Sequence, residues 1–105
     1  MMKRPQIVKR IREALERVAP NAETILYGSE ARGDARPDSD IDLLVLVDGN
    51  HLSIQEEDRI IAPLYDIEID TGVQINARVL LKKVWENIPF RTPFHINVMK
   101  EGLVL

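Results

Sequence analysis

Two aspartates near the start of an apolar segment have the type and spacing of metal ligands. Asp40 and Asp42 are separated by one residue, and the segment from Ile41 to Val47 is almost continuously apolar, as in a strand that is covered on both faces. Alternate residues of a strand point to the same face, about 6.5 Å apart along the backbone. Mg²⁺ commonly combines one or two carboxylates with water and substrate phosphates. The pair therefore predicts a magnesium site, although the same spacing also occurs where acids only keep a strand end soluble.

The segment upstream of these acids contains residues suited to phosphate. Gly28 follows a short apolar run, and a glycine lets the backbone approach a ligand without a Cβ in the way. Ser29 adds a hydroxyl donor, and the residues after it could open a helix whose free N–H groups favour an anion. A plain turn is the alternative reading of Gly28 and Ser29. The Gly-Lys-Ser/Thr of a P-loop does not follow Gly28.

Further polar side chains lie between the glycine and the acids. Arg32 and Arg36 could offer fork-shaped donors to phosphate oxygens, or each could pair with an acid of the same connection. Ser39 is expected to bond to nearby backbone and so position Asp40. The competing acids in the connection are Glu30, Asp34 and Asp38.

Hydrophobic periodicity and capping residues indicate the elements that must position these side chains. Apolar residues at three-and-four spacing predict a helix over residues 5–19, and Ser53 with Glu56 predicts a second helix that ends at Thr71-Gly72. Pro63 lies inside the second pattern, which leaves one kinked helix or two helices open. The other predicted elements are strands 23–27, 41–47 and 73–80, helices 82–87 and 92–101, and a tail or edge strand over 103–105.

The 105 residues are predicted to form a single domain, 1–105. The order of elements predicts an α/β (α+β) fold with a small mixed sheet and helices packed against it. The absence of cysteine excludes disulfides, thiolate metal sites and cysteine nucleophiles. No apolar run approaches the roughly 20 residues of a membrane span, and the charged N-terminus favours a cytoplasmic protein. A net charge of −3 argues against extended nucleic-acid binding.

The motif as a whole resembles a known signature. Gly28-Ser29, Ala31-Arg32-Gly33 and the run from Asp38 to Leu43 are similar to the signature of the DNA polymerase beta-like nucleotidyltransferase superfamily, in particular its minimal nucleotidyltransferase (MNT) branch. The resemblance is densest over residues 25–47. It implies the polymerase beta-like palm fold and transfer of a nucleoside monophosphate, with AMP from ATP as the expected case, to a hydroxyl with release of pyrophosphate.

The resemblance also assigns roles to residues. Asp40 and Asp42 would be catalytic and would hold Mg²⁺, with two ions in a fully active site. The residues implied to bind the nucleotide are Gly28, Ser29, Arg32, Arg36 and Ser39.

Members of the superfamily that catalyse transfer usually carry a third carboxylate on the next core strand. Here that strand reads VQINARVL, so Asn76 falls at the expected position, with Gln74 on the same face. An amide cannot act as a base at neutral pH, and Asn76 is therefore expected to be only a weak metal ligand through its carbonyl oxygen. The nearby acids Asp66, Glu68 and Asp70 are expected on a solvated helix face. A different register of the strand would instead bring Asp70 to the site.

Two functions therefore stay open. One is an active Mg²⁺-dependent nucleotidyltransferase that modifies a protein or small-molecule hydroxyl. The MNT resemblance implies a helical HEPN-type partner and an antitoxin role in a toxin–antitoxin pair. The alternative is a catalytically weakened module that still binds nucleotide and partner, and a homodimer is open in either case. Among the remaining residues, Trp85, Phe90 and Phe94 are expected in the core or at an interface, and His51 and His95 are expected at or near the surface.

Overall fold

The computed structural model describes residues 2–105 and shows an α+β fold with helices on both faces of one mixed sheet. The helices are α1 (Pro5–Val18), α2 (Gly28–Arg32), α3 (Ile54–Thr71), α4 (Lys82–Glu86) and α5 (Pro93–Glu101). The strands are β1 (Glu23–Tyr27), β2 (Ile41–Val47), β3 (Ile75–Leu81) and β4 (Leu103–Val104). The predicted bounds of the first two strands are confirmed, whereas the third strand begins two residues later than predicted. Within residues 2–105, no helix has both the length and the apolar character needed to cross a membrane.

The sheet has the strand order β3-β2-β1-β4. β2 pairs in parallel with β3 and antiparallel with β1, and β4 adds an antiparallel edge to β1. A parallel pair needs a crossover connection, and α3 supplies it. The predicted mixed sheet is therefore confirmed, and the C-terminal segment is an edge strand.

The strands divide the core between two faces of the sheet, because successive side chains point to opposite sides. The strand residues that pack with α1 and α3 on the first face include Ile41, Leu43 and Val45. On the second face, Leu44 and Leu46 pack with Trp85 of α4 and Val98 of α5. Asp42 shares the second face with these two leucines. Asp42 therefore lies on the side of the sheet that α4 and α5 cover.

Helix α3 runs without a break through Pro63, so one helix rather than two joins β2 to β3. Ser53 caps its first turn by accepting a backbone N–H at 3.1 Å. Gly72 ends the helix in the left-handed conformation, with φ of 72°. These fixed ends set where β3 begins, and they place Asn76 directly opposite Asp42.

A buried ion pair ties the connection between β1 and β2 to the N-terminal segment. The fully buried Glu30 carboxylate accepts hydrogen bonds from the Lys3 N–H (2.6 Å), the Arg4 N–H (2.8 Å) and the Arg4 Nε (2.6 Å). Burial raises the pKa of Glu30, but these hydrogen bonds outweigh it and hold the pKa below its usual range. Arg4 also donates from Nη1 to the Ser39 carbonyl at 2.6 Å. The residue before Asp40 is thus fixed to the start of α1.

Candidate active site

Asp40 and Asp42 converge on one amide group at the N-terminal end of β2. The Asn76 Nδ2 donates hydrogen bonds to Asp40 Oδ2 at 3.0 Å and to Asp42 Oδ1 at 3.3 Å. Asp42 and Asn76 face each other across the parallel β2–β3 pair. Both carboxylates therefore lie within reach of a single small ligand, on the same face of the sheet.

Asn76, for which the resemblance implied a third carboxylate, lies opposite Asp42 in the register of β2 and β3. Gln74 Nε2 donates to Asn76 Oδ1 at 3.1 Å, so the amide oxygen faces Gln74 and the amide N–H faces the acids. Asp70 lies on α3 and forms an ion pair with Arg10 of α1, which excludes the register that would bring it to the site. No three His, Cys, Asp or Glu side chains in residues 2–105 lie close enough together to share a metal ion.

The electrostatic surroundings of Asp42 favour a cation. Burial raises the pKa of Asp42, and the negative charges of Asp40 and Glu101 raise it further, while the Asn76 hydrogen bond and the Arg32 guanidinium lower it. The net result is a pKa above the usual range. A cation between the carboxylates would relieve this repulsion and stabilise their charged form.

Gly28 packs the turn after β1 directly against the Asp42 carboxylate. Its φ of +76° lies in the left-handed region, which glycine adopts without a steric cost. A Cβ at this position would collide with Asp42 Oδ2 and lie 3.3 Å from Asp42 Cγ. The short helix α2 begins here, which decides between the helix and the plain turn that the sequence left open. The Ser29 carbonyl accepts the N–H groups of Gly33 (3.0 Å) and Asp34 (3.1 Å). Glycine is therefore required twice, once for the backbone conformation and once for contact with the acid.

Arg32 is engaged by two acids, one of which the sequence did not indicate. Its Nε bonds to Asp34 at 3.2 Å, and its Nη1 bonds to both carboxylate oxygens of Glu101 at 3.2 Å. Glu101 also accepts the Gly28 N–H at 3.2 Å. The sequence left open that Arg32 pairs with an acid of the same connection, and Asp34 is that acid. Glu30 is not available to Arg32, because Arg4 of the N-terminal segment binds it. Glu101 is 73 residues from Gly28 in the chain, and no local pattern relates the two.

Ser39 lies beside Asp40, whereas the Arg36 side chain lines a separate groove. The Ser39 Oγ accepts the Arg36 backbone N–H at 2.9 Å, so the serine bonds to nearby backbone as expected and shapes the approach to Asp40. The Arg36 side chain is exposed and lines a groove with Lys3 and Pro37. Within residues 2–105, the Arg36 guanidinium forms no hydrogen bond or ion pair with either acid.

Aromatic residues form a wall beside the acids. Tyr27 pairs with Asp42 across β1 and β2, and its ring meets Phe94 edge-on with centroids 5.4 Å apart. The Arg78 guanidinium lies 4.3 Å above the centroid of the same Phe94 ring. Burial raises the pKa of Tyr27, Asp42 raises it further and Arg78 lowers it. Arg78 could have been recognised from the sequence, because it follows Asn76 by two residues on the same strand face.

The other aromatic predictions have mixed outcomes. Trp85 is buried, as expected, and His95 stacks on it with ring centroids 4.4 Å apart. Phe90 is 72% exposed, so it is not part of the core. It lies in the loop between α4 and α5, where neither helix covers it. His51 is exposed, as expected.

The fold and this site together define a class of protein. A mixed sheet with paired acids at the start of an inner strand, and with a glycine turn on the neighbouring strand, is the arrangement that the resemblance implied for a nucleotidyltransferase. Residues 8–105 match the nucleotidyltransferase domain family. The chain belongs to that family.

Two known proteins show the extent of the similarity. An 81-residue stretch is 38% identical to a protein of Methanocaldococcus jannaschii described as a proposed protein adenylyltransferase, and the match covers 77% of this chain and 74% of that protein. The 1.40 Å crystal structure of a proposed nucleotidyltransferase from Sulfolobus solfataricus aligns over 94% of this chain and 76% of that chain, with a TM-score of 0.57 and 21% identity. The second similarity concerns the fold alone and confirms the predicted fold class.

Proposed function

We propose that this protein is a Mg²⁺-dependent nucleotidyltransferase of the cytoplasm that transfers AMP from ATP to a hydroxyl of a protein. The observation that carries the proposal is the packing of Gly28 against the Asp42 carboxylate. This contact joins the glycine turn and the acid pair into one site, where a triphosphate and its cation would lie side by side.

The residues present fit one magnesium ion. Asp40 and Asp42 offer carboxylate oxygens around a common point, now bridged by the Asn76 amide, and two carboxylates with phosphate and water oxygens suit Mg²⁺. They do not supply the three-carboxylate set that would hold two ions. The bound ion would neutralise charge on the phosphate oxygens during transfer.

The remaining residues bind and orient the nucleotide. The Gly28 N–H and the Ser29 hydroxyl would donate to phosphate oxygens, and Arg32 would add charge-assisted bonds. In the reaction, the acceptor oxygen bonds to the α-phosphorus while the bond from that phosphorus to the pyrophosphate oxygen breaks. The acceptor proton passes to solvent, because the Asn76 amide cannot accept it.

A HEPN-type acceptor, with this chain as the antitoxin of the pair, is what the MNT resemblance implies, and two observations support a protein acceptor in general. The M. jannaschii relative is described as a protein adenylyltransferase. In addition, apolar side chains are exposed around the C-terminal end of the chain, next to Glu101, which would suit a protein partner. They are Ile96, Met99, Leu103 and Val104.

The second candidate function is a module that binds nucleotide and partner without efficient transfer. Asn76 favours it, because an amide stands in the third-acid position and donates its N–H groups to both acids. Retention of the glycine turn and of both acids would then reflect nucleotide binding alone.

Transfer of label from ATP labelled at the α-phosphate separates the two candidates. The wild type would be compared with Asp40→Asn/Asp42→Asn and with a control, Asp58→Asn/Asp66→Asn, which removes the same charge from exposed positions of α3. Mg²⁺ and a HEPN-type protein or small hydroxyl compounds would be present. We expect transfer by the wild type and the control, and at least a 100-fold loss in the site variant. ATP binding without transfer to any acceptor would favour the second candidate.

A further inference from the structure

The Glu101 carboxylate accepts hydrogen bonds from the same donors that would bind a triphosphate in the proposed function. Its Oε1 accepts the Gly28 N–H at 3.2 Å, and both of its oxygens accept from Arg32 Nη1 at 3.2 Å. A backbone N–H carries a single hydrogen. Gly28 can therefore donate a strong bond to Glu101 or to a phosphate oxygen, but not to both.

The backbone that carries Glu101 is held firmly at the end of α5. The Gly102 N–H donates to the Val98 carbonyl at 2.8 Å, and a Cβ on Gly102 would lie 2.7 Å from Ile25 Cγ2. The strand that follows, β4, pairs with β1 through Ile25. The end of α5 cannot withdraw without breaking this edge of the sheet. The Glu101 side chain is 20% exposed, so rotation toward solvent is the available way for the carboxylate to leave.

Charge opposes the position of this carboxylate. Glu101 lies in the last turn of α5, where the helix dipole disfavours a negative group, and it adds to the negative charge at Asp42. Arg32 supplies the compensating charge and is shared with Asp34. All three hydrogen bonds to Glu101 are 3.2 Å long, which is the upper end of the ordinary range for N–H···O bonds. A ligand with more negative charge can compete for the same donors.

We propose that Glu101 is an internal ligand of the phosphate-binding turn, and that a nucleoside triphosphate displaces its carboxylate from Gly28 and Arg32. This inference rests on the proposed function, because it assigns the same donors to the triphosphate. The competition lowers the affinity of the site. Removal of the Glu101 charge therefore strengthens triphosphate binding, whereas removal of a ligand or of a structural support would weaken it.

Calorimetric titration of the full chain with inorganic triphosphate and with ATP, both in Mg²⁺, tests the sign of the effect. Glu101→Gln keeps the size of the side chain, and Glu101→Ala removes the carboxyl group altogether. The control is Glu86→Gln, which removes the same charge from an exposed position of α4. We expect both Glu101 variants to bind about three- to tenfold more tightly than the wild type, and the control to stay within about twofold.

The amide resonance of Gly28 reports the displacement itself. Without ligand, its chemical shift should differ between the wild type and Glu101→Gln, because the acceptor has changed. At saturation with triphosphate the two shifts should converge, because the same phosphate oxygen now accepts the bond in both proteins.

Equal or weaker binding by the Glu101 variants would overturn the inference, as would Gly28 shifts that stay apart at saturation. Binding without AMP transfer would contradict the proposed activity alone, and the order of affinities would still decide the role of Glu101. Absence of triphosphate binding to all of these proteins would contradict both.

Discussion

Replacement of Asn76 by Asp would convert a bridge between two acids into a cluster of three. The amide nitrogen now lies 3.0 Å from Asp40 Oδ2 and 3.3 Å from Asp42 Oδ1. A carboxylate oxygen in its place would repel both acids by about 1 kcal/mol each in a water-like dielectric, and by more where burial lowers the effective dielectric. Two hydrogen bonds to charged oxygens would also be lost. We expect Asn76→Asp to destabilise the metal-free protein by about 3 kcal/mol.

Protonation sets an upper limit to this cost. Raising the pKa of an aspartate from its ordinary value to 7 takes about 4 kcal/mol of free energy. If the repulsion at pH 7 exceeded this amount, the new carboxyl group would be protonated instead. The expected loss of 3 kcal/mol is close to that limit. The deficit should therefore shrink as the pH falls, because the new carboxyl group then takes up a proton in the folded state.

Thermal unfolding in EDTA and in millimolar Mg²⁺ measures the effect. For a domain of this size, the expected loss corresponds to a Tm about 15 °C lower in EDTA. Mg²⁺ should recover more than half of this difference, since three carboxylates form a stronger cation site than two. Asn21→Asp, which adds one negative charge in the exposed turn before β1, should show neither change. An Asn76→Asp protein that melts like the wild type in EDTA, and gains no more from Mg²⁺, would refute the geometry described for Asn76.

Other substitutions test the neighbouring contacts. Gly28→Ala and Gly72→Ala both place a Cβ at a left-handed φ, 76° and 72°, but only the first meets an acid, and space is open around the second. Each variant should lose about 1 kcal/mol of stability from the backbone. Gly28→Ala should lose at least about 1 kcal/mol more and should also weaken Mg²⁺–ATP binding. Equal losses of the two variants in urea unfolding would contradict the contact between Gly28 and Asp42. Glu30→Gln should cost about 3 kcal/mol at pH 7, because the largely covered Arg4 side chain, 12% exposed, is left without its charge partner. The folded-state pKa of Glu30 is lowered, so the stability it contributes is present above its unfolded pKa and is lost as the pH falls through the folded value. The difference between wild type and Glu30→Gln should therefore shrink below about pH 4.5; a difference that stays constant in acid would speak against the ion pair.

Local rules predicted much of the fold because they act within a few residues. The apolar run Ile41–Val47 predicted a covered strand, and the period of two placed Asp42 on the face away from Ile41. The glycine at 72 ended α3 and thereby set the register of Asn76. Pro63 was left undecided because its local tendency is to break a helix, and packing of the helix around it on the core prevails.

The rest of the site depends on contacts between distant segments. Glu101 reaches the glycine turn only because β4 returns the chain to the edge of β1. The orientation of the Asn76 amide is set by Gln74, and the sequence alone gives no reason to choose between its oxygen and its nitrogen as the group that faces the acids. Phe90 was expected in the core or at an interface on its apolar character alone, and the loop that carries it is not covered by either neighbouring helix.

Equilibrium binding of ATP, with and without Mg²⁺, tests the central claim that the glycine turn and the acid pair form one nucleotide site. The account predicts that the wild type binds ATP and that Mg²⁺ strengthens this binding. Asp40→Asn/Asp42→Asn should lose the Mg²⁺ effect, whereas Asp58→Asn/Asp66→Asn on α3 should keep it. Equal Mg²⁺-dependent binding by the wild type and the Asp40→Asn/Asp42→Asn variant would contradict the account, because the ion would then be held elsewhere.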